Sequence, residues 1–197
     1  MKKKNTELQN LKVETRRKEK KHKELINWRW IRTILIVSFI LSISLSFLSE
    51  ISIKRSTLIV SIIVTLVFIF LGVLFDIIGV AVTASDEKIF HSMSSRKVKA
   101  SKVAVKFKKN ADKVSSFCCD VVGDICGVVS GASGIAITTL LIKYYSFDVL
   151  LTTLIVTGII SSLTIGGKAL GKSFAINKSN IILYEFSKIV SIFYKGE

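Results

Sequence analysis

Residues 71–136, LGVLFDIIGVAVTASDEKIFHSMSSRKVKASKVAVKFKKNADKVSSFCCDVVGDICGVVSGASGIA, decide how this chain is built. They comprise the end of one apolar run, a basic hinge and the start of the next apolar run. Asp76 falls inside the first run, and Asp120 and Asp124 lie near the start of the second. An ionised carboxylate near the centre of a membrane helix costs about 2.5–3.5 kcal/mol on insertion scales. Each acid therefore calls for a partner that offsets this cost.

Working outward, the apolar run holding Asp76 covers residues 57–83, long enough to cross a bilayer with tilt. The run after the hinge covers 117–142, and two more cover 31–48 and 149–165. Half of the 197 residues are apolar and none is proline, which suits a helical membrane protein with polar segments attached. The expected fold class is all-α, an integral membrane protein with four transmembrane helices. Trp28 and Trp30 flank the first run and Tyr144 and Tyr145 follow the third, where amphipathic rings favour the headgroup region. The first run is not read as a cleaved signal, because the basic region before it is long and no small-residue cleavage pattern follows.

The formal net charge is +15, but the lysines cluster between apolar runs and no nucleic-acid motif is present. Nucleic acid is thereby excluded as the expected partner in favour of a bilayer with anionic headgroups. Twenty-six Lys and Arg residues flank the runs on one side and three on the other, which predicts that both termini and the hinge face the cytosol of a cell-membrane protein. Cys118, Cys119 and Cys126 share one apolar run without ligand spacing, so buried reduced thiols are expected.

Residues 1–27 read as a basic, partly helical cytosolic tail. Within hinge 85–116, Ala100, Val103, Ala104 and Phe107 recur at helical spacing opposite Lys99, Lys102, Lys106 and Lys109. That pattern predicts an amphipathic helix on the membrane surface, its lysines on anionic headgroups. Asn110 or Asp112 suits the N-cap of the next helix. Near the C-terminus, Ile182, Phe186, Ile189 and Phe193 predict the apolar face of a second interfacial helix.

Asp120 and Asp124 are four apart, so their carboxylates project from one helix face, and Asp76 is expected at similar depth. Hard oxygen ligands in that setting suit Mg²⁺, which commonly takes one or two carboxylates plus waters. The competing reading has one or more acids protonated, or paired with Lys113, Lys168 or a backbone group. Gly123, Gly127 and Gly131 form overlapping small-xxx-small spacings, with Gly72 and Gly79 as a matching groove on the preceding span. Such a surface lets a helix approach closely, either within the subunit or in a homodimer. No phosphate loop, nucleophile elbow or Ser/His/Asp set is present, so no enzyme activity is expected.

The order of these features resembles the transmembrane domain of the CorB/CorC and cyclin-M (CNNM) family, associated with magnesium and cobalt transport. FDIIGVAVTASDEKI resembles the Phe-Ser-x-Ser-Glu-Thr-Ala-Leu-like end of a family span, and KASKVAVKFKKNADKVSS its basic hinge. VVGDICGVV resembles the Ile-Gly-Asn-Asn opening of the next span, and IGGKALGKSFAINKSN the closing Gly-Glu-x-x-Pro-Lys stretch. The resemblance covers residues 57–194. Asp76 and Ile78 stand at the family's serines, Gly79 at its first glutamate, Asp124 at its first asparagine, Lys168 at its closing acid and Gly171 at its proline. No counterpart of the family's CBS pair lies in these 197 residues.

The resemblance implies an extra N-terminal span in 28–56, a three-span domain in 57–168 and an interfacial helix in 169–197. The functional expectation is divalent-cation (Mg²⁺ or Co²⁺) transport or binding through Asp76, Asp120 and Asp124. Its alternative is a non-transporting membrane scaffold or regulatory partner, in which Lys168 neutralises an acid.

Overall fold

The computed structural model describes residues 28–54, 57–145 and 148–193. The expected cytosolic tail, residues 1–27, lies outside the described residues, as does the side chain of Phe193. The described elements are all helical: α1 (Trp28–Lys54), α2 (Leu58–Ala84), α3 (Glu87–Ser95), α4 (Ser101–Lys109), α5 (Ala111–Ser116), a π-helical turn (Phe117–Gly123), α6 (Asp124–Tyr145), α7 (Val149–Asn177) and α8 (Ser179–Phe193). Four helical stretches are long and apolar enough to cross a membrane: Trp28–Ile51, Leu58–Ala84, Ala111–Tyr145 and Val149–Asn177. The chain is a membrane protein of all-α class.

The chain divides into two units, Met1–Val37 and Ser38–Glu197. Of the first, the described part is the opening of α1, residues 28–37, in helical conformation. The second holds the rest of α1 and every other described element. There α2 is the central helix, packed against α7, α6, the π turn, α5 and α8.

The packing of α2 inverts the pattern of a soluble helix. Ser61, Thr65, Phe68, Gly72, Asp76 and Gly79 recur every three or four residues and form its buried face, whereas Ile59, Ile63, Val67 and Phe70 are exposed. Lipid solvates Ile and Phe as well as a protein interior does, so close packing rather than apolarity selects the buried side. The hydroxyls on that side satisfy themselves locally: Thr65 Oγ1 donates to Ser61 O at 2.9 Å and Ser61 Oγ to Thr57 O at 3.3 Å. Between α1 and α6, Ser49 and Ser133 share a buried hydroxyl hydrogen bond of 3.1 Å.

At one end of the bundle, α3, α4 and α8 close over the end of α2. Val82, Phe90, Ala104 and Leu183 are completely buried together, with Met93, Phe107, Val114 and Tyr184 around them. Phe107 stacks on Phe186 with ring centroids 5.5 Å apart. Asp86 caps α3 by accepting from Lys88 N at 2.9 Å. Lys108 Nζ donates to the terminal carbonyls of α2, Val82 O at 3.2 Å and Thr83 O at 2.7 Å, which offsets the negative end of the helix dipole.

Two expected surface helices differ in detail. The hinge, residues 85–116, holds three helices, α3, α4 and α5, and the apolar side of α4 packs through Ala104 and Phe107 on protein. Ala100 precedes that helix in left-handed conformation, at φ 64°. On α8 the buried line runs through Leu183 and Ser187, while Ile189 is exposed, so the packed face is rotated from the one its isoleucines suggest. Asn110 does precede α5, but its amide donates to Lys106 O at 3.0 Å and makes no side-chain cap for α5. Finally, α7 continues through Gly166 and Gly167 to Asn177, where the apolar run alone ends at 165.

Candidate functional site

The acids of the opening stretch lie where α2, the π turn with α6, and α7 meet, and glycines set how closely these helices approach. A Cβ on Gly72 would stand 3.1 Å from Cys126 Cβ and 3.3 Å from Gly123 O. One on Gly79 would overlap Cys119 Sγ and stand 3.2 Å from both Cys118 Cβ and Ser115 O. On the other side of α2, Gly167 and Gly171 of α7 receive Val73 and Ile77. Gly72, Gly79 and Gly123 are thus close-approach positions, whereas Gly127 and Gly131 have open space where a Cβ would be. Alanine at 79 is expected to lower stability by about 1 kcal/mol through overpacking. Alanine at 127 is expected to be neutral or slightly stabilising, since the space is open and the helix gains propensity. Unfolding of the two variants in mixed micelles, followed by circular dichroism, checks the difference.

From α7 two lysines, four residues apart and therefore on one face, reach the acids. Lys168 Nζ lies 2.9 Å from Asp124 Oδ1, a direct charge-assisted hydrogen bond to an exposed carboxylate. Lys172 Nζ lies 4.0 Å from Oδ2 of Asp76, within ion-pair reach but beyond hydrogen-bonding distance. The Asp76 side chain is 5% exposed, and its Oδ2 has no hydrogen-bond partner among the described residues. Cys119 Sγ donates to the backbone carbonyl of Asp76 at 3.6 Å.

The expected triad of aspartates is not gathered. Asp76 is buried against the third span, while Asp120 and Asp124 are exposed. Among the described residues no three His, Cys, Asp or Glu side chains stand close enough to hold a metal ion together. The arrangement instead offers two acid–lysine pairs, one tight and one loose, which cancel charge within the helical bundle. Lys168 is where the sequence pointed, and Lys172 was missed. Its signal was its position one turn after Lys168. Gly167 and Gly171 carried the same four-residue spacing. Lys99, Lys102, Lys106 and Lys109 are all exposed on or beside α4.

Comparisons with protein-family models, with curated proteins and with solved structures return no match.

Proposed function

We propose that this chain is a multi-pass protein of the plasma membrane, with both termini cytosolic, that serves as a membrane scaffold or regulatory partner and does not conduct ions. One observation carries the reading: the Lys168 ammonium occupies the Asp124 carboxylate at 2.9 Å, so a site built on that acid already holds its counter-charge. The bias of Lys and Arg, 26 against 3, supports the orientation. The open small-residue positions Gly127 and Gly131 support assembly through α6 as a homodimer.

A second reading is divalent-cation (Mg²⁺ or Co²⁺) binding or transport, as the resemblance to the CorB/CorC and cyclin-M family implies. It is favoured by the buried Asp76 Oδ2, which lacks a hydrogen-bond partner.

Vesicles reconstituted with the full chain and loaded with a Mg²⁺-sensitive dye separate the two. The scaffold reading expects the same signal as empty vesicles, with and without Asp76→Asn or Asp124→Asn. Protein-dependent uptake that disappears in Asp76→Asn overturns it in favour of the cation reading. For assembly, the wild type is expected to cross-link as a dimer in vesicles and Gly127→Leu to shift it to monomer. Unchanged cross-linking in Gly127→Leu and Gly131→Leu removes α6 as the interface.

A further inference from the structure

We infer that the hinge binds one anionic phospholipid in a built groove, a property independent of whether the bundle scaffolds or transports. A groove of about 430 Å³ opens at the connection between α3 and α4, against α8. Lys97, Lys99, Lys102 and Lys106 line it together with Ser94 and Ser191, and no carboxylate does. Lys97, Lys99 and Lys102 form no ion pair with any described residue. The ammonium groups of Lys97, Lys99 and Lys102 around one concavity repel each other, and a phosphate relieves that repulsion while accepting their N–H donors.

The groove does not end at the lysines. It shares Val103 and Lys106 with a second groove of about 250 Å³, which is otherwise lined by Phe107, Asn110, Val114 and Val190. Val114 belongs to α5, the first turns of the helical stretch that becomes the third span. A charged compartment thus runs into a mostly apolar one that leads towards the span. A soluble phosphate would use only the first, whereas a phospholipid uses both: headgroup phosphate on the lysines, glycerol and acyl chain along Phe107 and Val114. The lysine set also differs from the stripe the sequence suggests, since Lys97 joins it and Lys109 does not line either groove.

The test is equilibrium binding of radiolabelled dioctanoyl phosphatidic acid, below its micellar concentration, to the full chain in non-ionic detergent. Saturable binding at one lipid per chain is expected. Dioctanoyl phosphatidylcholine and glycerol 3-phosphate should each bind about tenfold more weakly or worse. Lys97→Gln/Lys99→Gln/Lys102→Gln should weaken the lipid about tenfold or more. The charge-matched control Lys88→Gln/Lys109→Gln/Lys178→Gln should leave it unchanged. All six positions are exposed, so both variants are expected to keep the helical spectrum and elution of the parent. Equal weakening by the control overturns the groove in favour of diffuse charge. Glycerol 3-phosphate binding as tightly as the lipid, or no saturable binding, overturns the lipid assignment.

Discussion

Alanine at Phe90 will lower the stability of the protein by about 3–5 kcal/mol, the largest single-residue effect expected here. Phe90 is completely buried, and its ring fills the space between Val82 at the end of α2, Ala104 of α4 and Leu183 of α8. Truncation leaves a cavity bounded by four helices whose positions are set elsewhere: Asp86 caps α3, and Lys108 is tied to the α2 carbonyls. Asn180 Oδ1 accepts from Asp86 N at 2.9 Å, holding the start of α8 to the same corner. Little collapse is therefore open to the site, which keeps the cavity cost high. The measurement is unfolding in mixed micelles together with amide hydrogen exchange. Protection should fall first in α3, α4 and α8, and a loss under about 1 kcal/mol would show that the cap is not a cooperative part of the fold.

Replacing Lys168 by leucine is expected to cost about 2–3 kcal/mol, because it leaves the Asp124 carboxylate without its 2.9 Å partner in a membrane helix. Asp124 is exposed, which holds the effect below the 3–5 kcal/mol typical of breaking a fully buried pair. The double variant Asp124→Asn/Lys168→Leu should recover most of the loss, since it removes the charge as well as the partner. A double-mutant cycle built on micellar unfolding reads the coupling directly. Additive losses from the two single changes would mean that the pair does not hold α6 to α7.

The four spans were legible because a bilayer imposes a length, and apolar runs in this chain meet it. Residues 57–83 and the described α2 differ by a residue at each end. The face of each helix was much less legible. On α2 the buried side is the one with Ser61, Thr65, Gly72 and Asp76, so a soluble-protein pattern points the wrong way. On α8 the isoleucines mark a face that is partly exposed. Gly72, Gly79 and Gly123 sit at close approaches while Gly127 and Gly131, identical in spacing, do not. Spacing shows that a face is smooth, and only the neighbouring helix decides whether it is covered.

By itself, then, the sequence determined an all-helical membrane protein with a basic hinge, because apolar run length, the absence of proline and the clustering of lysine are local quantities. The pairing of its acids was decided only by the tertiary structure. Asp124 and Lys168 are 44 residues apart, and Asp76 meets Lys172 from a helix on the far side of the hinge. Helix α7 had to run straight through Gly166 and Gly167 for both lysines to reach the acids. Gly167 lies close against Val73 of α2, a contact that no property of the isolated segment specifies, whereas Gly166 faces open space.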